Sequence, residues 1–135
     1  MNSRRHFIRN AACGLAVLPQ RPATASVVQK GPRMKNLFVH HVFFWLKEPN
    51  SPAAREELEK GLQDLIRIPL IQSSHIGRPV ESSREVVDDS FSYSYLAFFR
   101  SRQDQDAYQA HPDHLKFVEK CQHLWARVLV YDAMD

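Results

Sequence analysis

The sequence predicts an α+β fold: one small domain with the element order β-α-β-β-α-β and a four-stranded antiparallel sheet. Three observations carry that reading. The runs Leu37 to Leu46 and Phe91 to Arg100 are rich in β-branched and aromatic residues, as strands are. Each run is followed by a helix-start signal and a segment with apolar residues at helical spacing. The chain has 135 residues, enough for one domain and not for two.

Leu37 to Leu46 (Leu-Phe-Val-His-His-Val-Phe-Phe-Trp-Leu) reads as a strand buried on both faces. Its adjacent His40 and His41 point to opposite faces, because side chains alternate along a strand. Pro49-Asn50-Ser51-Pro52 stops the strand and starts a helix, with Ser51 as N-cap and Pro52 at the first helical position. Glu56, Glu57 and Glu59 lie near the start of this helix. Leu58, Leu62, Leu65 and Ile66 form its apolar stripe, and it ends near Ile68-Pro69.

Leu70 to Ile76 is a shorter strand, closed by Gly77-Arg78-Pro79, and the polar stretch Val80 to Asp89 is a loop. In the strand Phe91 to Arg100, the residues Phe91, Tyr93, Tyr95, Ala97 and Phe99 share one face. Ser92, Ser94, Leu96 and Phe98 share the other, and the serines mark that face as only partly packed. Ser101 caps a short helix, with Asp104 three residues on, and this helix ends near His111-Pro112. A last helix runs from Asp113 to Trp125, with Leu115, Val118, Cys121 or Gln122, and Trp125 toward one side. Val128 to Asp132 closes as a strand. The order is ferredoxin-like, with the second helix broken. Helices on one face of such a sheet leave the other face to be covered. A twin sheet from a second copy would cover it, giving a dimeric α+β barrel, a homodimer with a cavity between its sheets.

The chain opens Ser3-Arg4-Arg5-His6-Phe7-Ile8-Arg9, which resembles a twin-arginine signal. A short apolar segment, Ala11 to Leu18, leads to Ala23-Thr24-Ala25, a small-x-small cleavage pattern. Residues 1–25 therefore read as a signal peptide, 26–35 as a linker with Gly31-Pro32 as breaker, and 36–132 as the domain. This implies export to the periplasm or another extracytoplasmic space. The alternative is translation from Met34, directly before the first strand, and a cytoplasmic protein.

The leader also explains the charge. The formal net charge is +3, but Arg4, Arg5, Arg9 and Arg21 all lie in the first 25 residues. Without these four, 14 of the 18 Lys and Arg remain against 15 acids. No basic run or basic helix face is left, so nucleic acid is not an expected partner. No apolar run approaches the roughly 18 residues that span a bilayer, so no integral membrane segment remains after leader removal. Of the two cysteines, Cys13 is in the leader, and Cys121 alone cannot form a disulfide within the mature chain. Cys121 reads as a small buried apolar residue.

His111-Pro112-Asp113-His114-Leu115-Lys116-Phe117, opening the last helix, is the sharpest local signal. With it stand His41 and Lys47 of the first strand, Asp106-Ala107-Tyr108 before the helix break, and the closing Val130-Tyr131-Asp132. Together these resemble the stress-responsive A/B barrel (Dabb) family, over nearly all of residues 36–132. The family lies within a wider class of dimeric α+β barrels that includes small monooxygenases and polyketide-tailoring enzymes. In the family's plant polyketide cyclase, a histidine serves as general base, with a tyrosine and a first-strand histidine nearby. The resemblance carries these roles to His114, Tyr108 and His41. A histidine at a helix start can titrate near neutrality, and a phenol can hold a developing enolate. Equally, a His-Pro pair at a helix entrance can be structural, bonded to backbone.

His111 and His114 are three residues apart, but no cysteine or carboxylate stands beside them at a familiar ligand spacing. No metal is expected, and without a Gly-rich phosphate loop or nucleophile elbow no cofactor is either. Three functions stay open: a homodimer binding a small apolar or aromatic molecule, a cofactor-free cyclase, isomerase or monooxygenase using His114 and Tyr108, and a purely structural dimer. Fold alone does not choose among them. The first is the leading expectation.

Overall fold

A computed structural model describes Gly31 and residues 33–135. The segment expected to be a signal peptide, with its cleavage pattern, and most of the expected linker lie outside the described residues. The elements are β1 (Phe38–Leu46), α1 (Pro52–Leu65), β2 (Ser73–Gly77), β3 (Tyr93–Phe99), α2 (Arg102–Gln109), α3 (Pro112–Cys121) and β4 (Trp125–Met134). The sheet order is β2-β3-β1-β4, antiparallel throughout, which is the ferredoxin-like arrangement. No described helix is long and apolar enough to cross a membrane.

The helices start where the local chemistry dictates. The Ser51 hydroxyl accepts from the Ala54 amide at 3.2 Å, and Ser101 accepts from Asp104 at 3.1 Å. Both satisfy amides that have no partner inside their helix. At α3 the cap is His111, whose Nδ1 accepts from the Asp113 amide at 3.2 Å, with Pro112 next.

One face of the sheet packs under the helices. Phe38, Val42, Phe44 and Leu46 of β1 and Tyr93, Tyr95, Ala97 and Phe99 of β3 join Leu58, Leu62 and Leu65 of α1 and Phe117 and Cys121 of α3 in one core. The other face carries no helix. There Val39, His41, Phe43 and Trp45 of β1 and Ser94, Leu96 and Phe98 of β3 are half-buried. β1 is thus buried on one face only, not on both as its composition suggests. Phe91 also departs from expectation. β3 begins at Tyr93, and the Phe91 ring lies 5.0 Å from Phe43, on the open side. The parity breaks at Ser92, which is buried and accepts from the Leu46 amide at 3.1 Å.

The last helix is shorter than its sequence pattern implies. It stops at Cys121, and Trp125 opens β4 instead of closing the helix. Its buried residues are Phe117 and Cys121, followed by Leu124, while Leu115 is exposed. Contact with α1 chooses this face. A Cβ on Gly61 of α1 would lie 2.7 Å from Cys121 Sγ and 3.1 Å from the Phe117 ring. Gly61→Ala should therefore destabilise, although alanine gains about 1 kcal/mol over glycine in a free helix. Overpacking of about 1–3 kcal/mol outweighs that gain. The expected net loss is about 1 kcal/mol by urea denaturation, and it should shrink when Gly61→Ala is made in a Cys121→Ala background, where only the Phe117 ring still has to give way.

Candidate active site

A cavity of about 130 Å³ lies between the helix-covered face of the sheet and the helices, toward the β4 edge. His40, Tyr95, Tyr108, Gln109 and His114 supply its polar wall, and Val42, Phe44, Leu65, Phe117, Val118, Trp125, Val128 and Val130 the rest. No Asp, Glu, Lys or Arg lines it. A larger hollow of about 330 Å³ between α1 and α3 is walled by Asp64, Arg67, Asp113, Lys116 and Lys120 and shares none of the histidines with this cavity.

The break between α2 and α3 sets the position of His114. Gln109 is the last residue of α2, and its carbonyl lies 3.1 Å from His114 Nδ1. A carbonyl only accepts, so Nδ1 carries the hydrogen and Nε2 keeps its lone pair. Burial lowers the His114 pKa below the ordinary 6.5; the Gln109 bond opposes this, and the nearby His40 and His111 add to it. The imidazole is thus held neutral, with a basic Nε2.

Tyr108 lies against His114, ring centroids 4.7 Å apart. It is 1% exposed, and its hydroxyl is 3.1 Å from that of Tyr95. Burial raises both phenols, Tyr95 to about 12 and Tyr108 further. Both stay protonated at neutral pH. One of their two hydrogens serves the bond between them, so the other is free to donate to a guest.

His40 completes the group. Its ring lies 6.0 Å from that of Tyr108. Its Nδ1 is 2.7 Å from an Asp132 carboxylate oxygen, brought opposite by the β1–β4 register. An ionised carboxylate only accepts, so Nδ1 of His40 carries a hydrogen. Among the described residues no polar side-chain atom is buried without a partner. Both imidazoles belong to the cavity wall.

The structure thus brings together Tyr108 and His114, and separates them from His41. That side chain lies on the open face, with Nε2 2.9 Å from the Ser94 hydroxyl. His40, one residue earlier, occupies the cavity instead. The two lie on opposite faces as alternation requires, but β1 is apolar on both sides, so its sequence does not reveal which histidine faces the helices. This cavity lies within one chain, under the helices. His111 spends its Nδ1 on the helix cap, which leaves the two motif histidines with different tasks. Sequence reasoning missed His40, Asp132, Tyr95 and Gln109. The available signal was Asp132, which stands opposite the first-strand histidines once the strands pair.

The family model of the Stress responsive A/B Barrel Domain matches residues 38–135. Among curated protein sequences none matches. Several solved structures do. A protein of Arabidopsis thaliana is 27% identical, with a TM-score of 0.61 over 73% of this chain and 94% of that one. A hydroxynitrile lyase from Passiflora edulis is 19% identical, with a TM-score of 0.65 over 76% of this chain and 95% of that one. A dimeric ferredoxin-like protein from Thermobifida fusca is 19% identical, with a TM-score of 0.59 over 75% of this chain and 92% of that one. With its motif, its sheet order and this match over most of its length in agreement, the chain belongs to the stress-responsive A/B barrel family.

Proposed function

We propose that the protein is exported and works as a homodimer, each subunit holding one small, uncharged apolar or aromatic molecule in the His40–Tyr108–His114 cavity. The wall of that cavity carries the reading: it is apolar except for two imidazoles, two phenols and one amide, with no charged side chain. A void of about 150 Å³ in an apolar core holds benzene, so a cavity of about 130 Å³ suits a molecule of one-ring size. The spare phenol hydrogen favours a guest with one oxygen. Export rests on the Ser3-Arg4-Arg5 pattern. Pairing is supported by the uncovered aromatic face of the sheet and by the dimeric protein of like fold.

Native mass spectrometry of protein from its own host tests these together. The expected species is a dimer of chains beginning near Ser26. A monomer, or a terminus at Met34, would remove the dimer or the export reading respectively. Phenol, titrated as a one-ring probe and followed by NMR, should shift the ring signals of Tyr108 and His114. Filling the mouth with Val130→Trp should abolish those shifts. No shift up to the solubility of phenol would end the binding reading.

A second reading is a cofactor-free enzyme, favoured by the fixed tautomer of His114. Its neutral Nε2 can take a proton from the guest while the spare phenol hydrogen bonds the oxygen on which charge develops. A hydroxynitrile lyase of this fold supports the idea that the fold admits lyase chemistry.

A further inference from the structure

The open face of the sheet carries a row of residues unlike the rest of it. The registers place His75 of β2 beside Leu96 of β3, Leu96 beside His41 of β1, and His41 beside Tyr131 of β4. Paired residues share a face, so two imidazoles stand two strands apart, on the order of 10 Å, in one line across the sheet. His41 is half-buried and stacked on Phe43, ring centroids 4.2 Å apart, with Ser94 as its hydrogen-bonding partner.

No acid faces this row from any strand. The open-face positions are Val39, His41, Phe43 and Trp45 on β1, Ser73, His75 and Gly77 on β2, Ser94, Leu96 and Phe98 on β3, and Arg127, Leu129, Tyr131 and Ala133 on β4. Arg127, the one fixed charge, is a cation 4.3 Å over the Trp45 ring. The acids around the face are peripheral. Asp88 is bound to Ser90 near Trp45, and Asp135 holds the Leu37 amide at the opposite end. The helices lie on the other side of the sheet; through it, His40 adds only positive charge when protonated. A proton on His41 or His75 would therefore be an unpaired charge under a second sheet, which is costly.

We propose that this histidine row makes sheet-to-sheet pairing acid-labile: two copies associate while the His41 ring, with His75 in line beside it, is neutral, and separate when His41 takes a proton. The inference rests on the homodimer reading above. Its sign follows from linkage. His41 already has a pKa below 6.5, through partial burial first and through His75 and His40 next. Covering the face adds to the burial. The separated chain then binds the proton more readily than the dimer, so association weakens as pH falls below 6.5 and is unaffected above it.

Analytical ultracentrifugation of the purified protein between pH 7.5 and 5.5 tests this. The dimer dissociation constant should rise by at least about tenfold over that interval. His41→Gln keeps a hydrogen-bonding group for Ser94 without a titratable proton, and His75→Gln does the same for the row. The double variant should stay dimeric at pH 5.5, and its circular dichroism should match the parent at both pH values. A parent that is dimeric with one dissociation constant at both pH values overturns the acid gate and leaves the dimer standing, as does a folded double variant that still separates. A parent monomeric at pH 7.5 removes the dimer, and the gate with it. Should the double variant misfold, each single variant is expected to show a smaller rise than the parent, and an undiminished rise in both overturns the gate.

Discussion

Truncating Phe99 to alanine should cost about 3–5 kcal/mol. Phe99 is 0% exposed and meets Phe38, His40 and Tyr108 with ring centroids 6.5, 6.4 and 4.9 Å away. It is the floor on which two members of the cavity rest. Its removal takes away a large apolar area and leaves a void that two tethered rings cannot fill. In a domain of about 100 residues each 1 kcal/mol moves Tm by about 4–8 °C, so the loss should exceed about 12 °C by calorimetry. Phe98, its half-buried neighbour on the open face, is the control. In a monomer Phe98→Ala should cost far less, and in a dimer its cost should appear as weaker association. A drop of less than about 1 kcal/mol for Phe99→Ala would show that Tyr108 is held by something other than this ring.

Replacing His114 by glutamine separates binding from catalysis. If the cavity only holds a guest, His114→Gln should alter phenol affinity by less than about tenfold, since it exchanges one polar group for another. If His114 is a base, turnover of the retained molecule should fall by about 10²–10⁴ in kcat with KM little changed. Tyr108→Phe should lower kcat as well, and it should also cost about 1–3 kcal/mol of stability, because it leaves the buried Tyr95 hydroxyl without its partner. The pH profile carries its own sign. The base form of His114 persists to below pH 6.5 because burial disfavours the imidazolium. The acid limb of the parent's kcat profile should therefore begin under pH 6.5. A limb starting above pH 7 would contradict the buried, neutral imidazole.

The element order was legible because it rests on local chemistry. Ser51-Pro52, Ser101 with Asp104, and His111-Pro112 mark where helices begin, and the two aromatic runs can only be strands of a packed sheet. What stayed hidden was parity and length. β1 is apolar on both sides, since one side meets helices and the other is open, so its sequence cannot choose between His40 and His41. Phe91 reads as a continuation of β3, yet the turn at Ser92 puts it over Phe43. Trp125 fits a helical stripe equally well, and it is the pairing of Leu46 with Trp125 in the sheet that takes it for β4. Of the site, Tyr108 and His114 could be found from the motif. His40 with Asp132, and Tyr95 with Tyr108, are pairings across 92 and 13 residues of chain that only the folded sheet reveals.

The pause between α2 and α3 has a consequence for how the protein can vary. In an unbroken helix the Gln109 carbonyl would be taken by the amide four residues on; here that amide, of Asp113, turns to His111, and the carbonyl is left for His114. The orientation of the imidazole is therefore set by main chain. No single substitution at position 109 removes a carbonyl, so the side chain there can drift through generations without disturbing His114. Heritable change reaches the tautomer only by closing the break itself, and the positions to watch for that are His111 and Pro112.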